Sequence, residues 1–317
     1  MTAAYSRMLF MPPPTASSNS PRISVVIRSK NDGALIGATL RGVLAQEYPG
    51  GIELIHIDSG STDDTVEIIR SFNPAKLIQI RAEDYVPGVV LNRGMREASS
   101  QYVVFVNSDC EPANPLWLPE LLATVQADPA NGAAFGRQIA RPGCQAVYAH
   151  DYERCFGPTR ETAKWDHFFS MANSVVNRAA WEQEPFREDL QYSEDDEWSR
   201  RLIKCGWRIP YAEQAAVFHS HNYTLSQAFR RCYGEAFALA ALDCVDGGTI
   251  NFARTVLAGV AQESLRDLRY CSRNGRLREW PRAVAVRAAQ RMGKLKGFRK
   301  GWVRYRSANL QPASAHV

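Results

Sequence analysis

The feature that most narrows what this chain can fold into is a recurring unit: a short β-branched run, a polar loop, then apolar residues at helical spacing. Ile23-Ser24-Val25-Val26-Ile27 ends in Arg28-Ser29-Lys30-Asn31-Asp32, and Leu35, Ile36, Leu40, Val43 and Leu44 follow on one helical face. Ile52 to Ile57 runs into Asp58-Ser59-Gly60-Ser61-Thr62-Asp63, then a helix over Thr65 to Phe72 with Ser61 or Thr62 as its N-cap. Leu77 to Ile80, a helix from Val89 to Ala98 and the strand Tyr102 to Val106 continue the alternation. Such alternation gives an α/β fold built on a mostly parallel, doubly wound sheet. Ligands of these sheets bind beyond the carboxyl ends of the strands, so the loops at 28–32, 58–63 and 107–111 are expected to converge on one site.

Past a helix at Pro119 to Ala127, residues Ala133 to Asp189 read as irregular and aromatic, suited to substrate-binding elements packed on the sheet. Asp195 to Cys205 reads as a helix ended by Gly206. Strands at Ile209 to Tyr211 and near Ala216 to Phe218 follow, then a helix over Leu225 to Ala241. Residues 1–21, with Pro12-Pro13-Pro14 and Ser17-Ser18-Asn19-Ser20, read as a disordered leader without the basic start and apolar stretch of an export signal.

At 317 residues and 45% hydrophobic content, the chain can fill a large core, which excludes global disorder. Its formal charge of +5 is unevenly placed: residues 251–306 carry fifteen Lys or Arg against three Asp or Glu, so the rest of the chain is acidic. No apolar run reaches the roughly 18–20 residues of a spanning helix. Seven cysteines, an odd number without a Cys-x-x-Cys pair, suit reduced thiols in the cytoplasm rather than a zinc site. Residues 241–317 form the expected helical basic extension. There Trp280, Val284, Val286, Leu295, Phe298, Trp302 and Tyr305 interleave with arginines and lysines, as in an interfacial helix facing anionic lipid at the inner face of the plasma membrane. A solvated hairpin against the body competes with that reading. No nucleic-acid partner is expected.

Three acidic positions carry the candidate chemistry. Asp58, after a strand, can hydrogen-bond the base or ribose of a nucleotide, beside a turn in which Gly60 allows close backbone approach. Asp109 can hold a hard divalent cation against a diphosphate. Asp195 stands among Glu194, Asp196 and Glu197 at a helix N-terminus, whose dipole is expected to keep these acids ionised. His219 and His221, two apart on an extended segment, share a face. Turn, cap or solvated-helix roles are the plain alternatives for the acids.

Taken in order, Ile23 to Asp32, Ile57 to Thr65, Leu91-Asn-Arg-Gly94, Val106-Asn-Ser-Asp-Cys-Glu-Pro112, Ser193-Glu-Asp-Asp-Glu-Trp198 and His219-Ser-His-Asn-Tyr-Thr-Leu225 resemble the inverting glycosyltransferases of family 2. The resemblance covers about residues 22 to 230 and looks most like the bacterial rhamnosyltransferase-type members. It implies a GT-A fold over 22–240, with a nucleotide-sugar half at 22–112 and an acceptor half at 113–240. It also implies donor-nucleotide contacts at Arg28, Ser29, Asn31, Asp58, Ser61, Arg93, Asn107 and Ser108, a metal ligand at Asp109, and a base at Asp195 with Glu194 beside it. Asn173 and Trp198 would face donor or acceptor sugar. The family's Asp-x-Asp is Asn107-Ser108-Asp109 here and keeps only the last acid, so substrate phosphates and His219 or His221 would complete the shell of Mg2+ or Mn2+. The implied partners are a dTDP-, UDP- or GDP-linked sugar, rhamnose foremost, and a glycan or lipid-linked acceptor. A sugar-nucleotide nucleotidyltransferase, which would need the Gly-rich loop missing after the first strand, and a non-catalytic binding module are the other readings.

Overall fold

The structure is a computed structural model describing residues 22–165, 167–241 and 253–309; the leader expected at 1–21 lies outside the described residues. The alternation read from the sequence is realised as β1 (Ile23–Ser29), α1 (Gly33–Leu44), β2 (Ile52–Asp58), α2 (Thr65–Ser71), β3 (Lys76–Gln79), α3 (Pro87–Glu97) and β4 (Tyr102–Asn107). Val25, Val26 and Ile27 are wholly buried, each contributing about 1.5–3 kcal/mol, because helices cover both faces of this parallel half. The start of α2 is served by neither Ser61 nor Thr62. Asp63 accepts from the Thr65 amide at 3.1 Å, while Ser61 turns its hydroxyl to Asp58.

The middle of the chain is more regular than its composition suggests. It holds β5 (Glu111–Pro112), α4 (Trp117–Gln126), β6 (Ala133–Ile139), α5 (Ala146–Phe156), β7 (Asn173–Asn177) and α6 (Arg178–Gln183). After α7 (Glu194–Lys204), ended by Gly206 at φ +92°, the two expected strands are one, β8 (Tyr211–Phe218). The sheet order is β3-β2-β1-β4-β7-β6-β8-β5. β7 runs against β4 and β6, and β5 against β8; the other neighbouring pairs are parallel. The carboxyl ends of β1, β2, β4 and β8 therefore share one edge.

The basic extension packs on this body. Beyond α8 (Leu225–Ala241), it comprises α9 (Gly259–Arg273) and α10 (Trp280–Asn309). Gly293, Gly297 and Gly301 of α10 lie against the main chain of Phe229, Tyr233 and Phe237 on α8, so close that a Cβ at any of them would fall within 2.4 Å of a carbonyl oxygen. Val286, Leu295 and Phe298, expected on a lipid face, point inward instead. Arg287 is buried between Asp267 and Asp151 at 2.8 Å each, and Arg291 reaches Glu263 at 3.3 Å. The tail thus spends part of its charge on internal pairing.

Candidate functional site

A cleft of about 310 Å³ opens at the shared edge, lined by Arg28, Ser29, Lys30, Asp32, Ser59, Tyr85, Asn107, Ser108, Asp109 and His221. Strand register explains the grouping: Ser29 pairs with Asp58 across β1 and β2, and Arg28 with Asn107 across β1 and β4. Arg28 donates to Asn107 Oδ1 at 3.0 Å, and its other terminal nitrogen lies 3.7 Å from Glu194 Oε1 without a hydrogen-bond partner. The Ser59 hydroxyl is likewise buried and unpartnered. Two unsatisfied polar groups in one cleft fit a ligand rich in oxygen, because leaving them unpaired is costly.

At the far wall, β4 and β8 deliver Asp109, His219 and His221 to one point. Asp109 Oδ2 lies 3.4 Å from the Nε2 of each histidine, and the two Nε2 atoms are 3.0 Å apart. Ligands about 2.1 Å from a shared cation stand about 3.0–3.5 Å from one another, so the spacing fits a divalent ion. His219 Nδ1 meets Gln138 Oε1 at 2.7 Å and Tyr152 Oη at 3.3 Å, which turns Nε2 toward the cluster. Burial, then the neighbouring His219, lowers His221 to about 4, so its imidazole is neutral near pH 7 and free to ligate. Burial alone would raise Asp109, but the His219 hydrogen bond and the histidine charges hold it below the ordinary carboxylate value. Cys110 lies beside this cluster, with its thiol raised well above the usual value by burial.

The acid pair differs from expectation. Asp195 Oδ2 accepts from Met171 N at 3.3 Å and Oδ1 from Asp196 N at 2.9 Å, at the start of α7, just after Ser193 in the left-handed region (φ 60°). Burial raises both carboxyls, and the adjacent Asp195 raises Glu194 further. Desolvation thus outweighs the helix dipole expected to keep them ionised. A carboxyl shifted upward holds and releases protons nearer neutrality, as a general base requires.

Several expected contacts are absorbed by the loops themselves. Asp58 is fully buried, accepting from Ser29 Oγ at 3.0 Å, from the amides of Gly60 and Ser61, and from Ser61 Oγ at 2.5 Å. Asn31 Oδ1 accepts from Thr62 N at 2.8 Å, and the main-chain N–H of Asn31 donates to Ser61 Oγ at 2.9 Å, stitching the first two loops together. Gly60 brings the turn against the main chain of Ala82. Asn173 is wholly buried: its amide bonds the carbonyls of Arg137 and Ala215, and Trp117 donates to its Oδ1. Trp198 is wholly buried against Phe186 and Phe169, donating to Glu184 O. Neither reaches the cleft, so the structure contradicts a sugar contact for both. Arg93 is exposed on α3 and does not line the cleft.

Lys30, Asp32, Ser59 and Tyr85 line the cleft but were not singled out from the sequence. Asp32 is bonded by Ser108 Oγ and raised by burial, with Asp109 adding to the rise. Three of the four stand inside loops already marked as converging. Tyr85, ahead of α3, carries no local signal.

The family model described as glycosyl transferase family 2 matches residues 24–183. The chain belongs to glycosyltransferase family 2. It is similar to the O-antigen chain rhamnosyltransferase RfbN of Salmonella typhimurium, 25% identical over 67% of this chain and 70% of that protein. It is also similar to the O-antigen chain rhamnosyltransferase WbaN of Salmonella anatum, 31% identical over 57% and 60%. Among solved structures, the mannosyltransferase PcManGT of Pyrobaculum calidifontis, in complex with GDP-Man and Mn2+, superposes with a TM-score of 0.57 at 19% identity, covering 94% of this chain and 89% of that one. The glucosyl-3-phosphoglycerate synthase of Mycobacterium tuberculosis, with Mn2+, UDP and phosphoglyceric acid, gives 0.52 at 22% identity over 72% and 81%. The fold is GT-A, and the protein is a glycosyltransferase that handles nucleotide sugars; the nucleotidyltransferase and non-catalytic readings are not retained.

Proposed function

We propose that the enzyme transfers a sugar, rhamnose foremost, from a nucleoside diphosphate to a hydroxyl of a surface glycan or lipid-linked acceptor, with inversion at the anomeric carbon. The observation that carries this reading is Arg28, which lines the cleft with Asp109 and also reaches Glu194, so the histidine cluster and the acid pair adjoin one space. Relatives named as O-antigen rhamnosyltransferases support the sugar and the acceptor class. A dTDP donor is the first choice, ahead of UDP and GDP. Residues 22–112 serve the donor and 113–240 the acceptor.

In this reading Arg28, Lys30 and Ser59 bind the diphosphate through charge-assisted and neutral hydrogen bonds, and Tyr85 offers an aromatic face to the base. Asp109, His219 and His221 would hold a divalent cation, which supplies countercharge to the departing diphosphate. One oxygen and two nitrogen donors suit Mn2+ better than Mg2+, which prefers oxygen. Asp195 takes the proton of the acceptor hydroxyl as its oxygen bonds the anomeric carbon. The bond from that carbon to the diphosphate oxygen breaks on the opposite face, and its electron pair leaves with the nucleotide. Arg28, set between Asn107 and Glu194, meets the growing negative charge. The reaction is taken to run in the cytoplasm, where the described cysteines, all unbridged, would stay reduced.

The test is a donor panel of dTDP-, UDP- and GDP-sugars with Mn2+ and acceptor, read as nucleoside diphosphate release. Asp195→Asn should bind donor like the parent and turn over at least about 100-fold more slowly. Release of inorganic pyrophosphate, or equal turnover by the variant, would overturn the proposal.

A further inference from the structure

The face that the basic extension leaves open is not the one its aromatic residues suggest. Leu257, in the helical turn just before α9, and Ala261, Leu265, Arg269 and Arg273 of α9 form an i, i+4 series exposed throughout, apolar at one end and basic at the other. Leu257 is 61% exposed and Leu265 49%, and between α9 and α10 runs an open groove lined by Leu257, Val260, Leu265, Leu268, Trp280 and Val284. At the turn joining the two helices, Leu277 is 53% exposed beside the exposed Arg278. Exposed apolar surface gathered on one side of a helix pair marks a contact surface rather than chance exposure.

The charges say what the contact is. Arg266, Arg276, Arg287 and Arg291 each pair with a carboxylate of this chain. Arg269, Arg273 and Arg278 have no carboxylate within 4.0 Å among the described residues. Three unneutralised cations bordering a greasy groove are complementary to a surface that is anionic outside and hydrocarbon inside. The groove also offers little directional chemistry: the Trp280 indole nitrogen is already satisfied by Ser264 O at 2.9 Å. Hydrocarbon asks for none, whereas a protein partner is specified by polar groups at the rim.

We propose that the exposed side of α9, with Trp280 and Val284 of α10, docks on an anionic lipid leaflet. The apolar residues sink into the acyl boundary while Arg269, Arg273 and Arg278 meet lipid phosphates. The docked face is tied to the site. Arg282 of α10 donates to Tyr223 O at 3.2 Å, two residues from His221, and Glu279 accepts from the Ala146 amide of α5, whose Tyr152 touches His219. Docking would therefore hold the cleft beside the leaflet. Only this last consequence, delivery of a lipid-linked acceptor, rests on the function proposed above; the docking itself does not.

The experiment floats the full-length protein with phosphatidylglycerol vesicles and with phosphatidylcholine vesicles. Binding should require the anionic lipid and weaken as salt rises through about 0.5 M. Arg269→Gln, Arg273→Gln and Arg278→Gln together should weaken it by roughly 100-fold, about fivefold per arginine. Leu257→Glu with Leu265→Glu should abolish it. Transfer to a water-soluble acceptor analogue should be unchanged in both variants, which shows that they are folded. Vesicle binding equal to the parent in both variants overturns the proposal. So does a dimer in vesicle-free light scattering that Leu257→Glu dissolves, since a second copy would then cover the groove. Vesicle binding without transfer to any lipid-linked acceptor would leave the docking standing and remove the acceptor assignment instead.

Discussion

The seam between α8 and α10 makes a prediction whose sign depends on distance alone. At Gly297 an alanine Cβ would stand 2.2 Å from the Tyr233 carbonyl oxygen and 2.9 Å from the carbonyl carbon and Cα, so two backbones would have to part. Overpacking of that kind costs about 1–3 kcal/mol. Replacing glycine inside a helix returns about 1 kcal/mol of propensity. Backbone against backbone cannot yield as a side chain does, which puts the clash in the upper half of that range, about 2–3 kcal/mol, and leaves a net loss of about 1–2 kcal/mol. The same substitution at Gly37 of α1 meets only the Arg41 side chain at 3.5 Å and Ile68 Cγ2 at 3.7 Å, ordinary contact. There propensity decides, and the gain should be about 0.5–1 kcal/mol. Urea unfolding followed by tryptophan fluorescence measures both. If the two variants move the midpoint in the same direction, or Gly297→Ala is as stable as the parent, the seam is not held by backbone contact.

Other outcomes follow from the site. Trp198→Ala should cost about 3–5 kcal/mol of stability, as for a large buried aromatic, and a variant that only weakened acceptor affinity would restore the sugar-contact reading. Gln138→Leu should weaken Mn2+ binding in calorimetry about 10- to 100-fold, because His219 loses the group that orients it, while donor binding in EDTA stays unchanged; an unaltered Mn2+ affinity would discard that role. Burial and Asp195 raise Glu194, so the native state keeps a proton that the unfolded chain has already released. The stability this adds is present below the unfolded pKa and is lost as pH rises through the raised one. Denaturation at about pH 5 and about pH 8 should show the parent losing more stability than Glu194→Gln; parallel losses would count against the buried acid pair.

Strands β1, β2 and β4 were legible because their β-branched runs are local and end in polar loops. β6 and β7 were not. Ala-Ala-Phe-Gly-Arg-Gln-Ile has little strand propensity, and Asn-Ser-Val-Val-Asn carries polar residues that are buried only because partners far along the chain satisfy them, as Trp117 does for Asn173. Asp109, His219, His221, Glu194 and Asp195 were singled out from motif order, and the structure adds how they meet. Asp58, Asn31 and Ser61 show the limit of that reasoning. A motif marks where a loop needs particular residues, but it does not say whether a side chain faces the ligand or the neighbouring loop. Three residues of the lipid-facing pattern read in α10, Val286, Leu295 and Phe298, turn inward for a similar reason, since alternating aromatic and basic residues also suit a helix packed on another helix through glycine.

The histidine cluster draws on the loop after β4 and the loop after β8, which the chain produces far apart in time. Arg28, Ser29 and Ser59 are placed by β1 and β2, whereas His219 and His221 stand just past the end of β8. Under the proposed chemistry, loosening β8 alone would therefore empty the cation seat while leaving the diphosphate contacts in place.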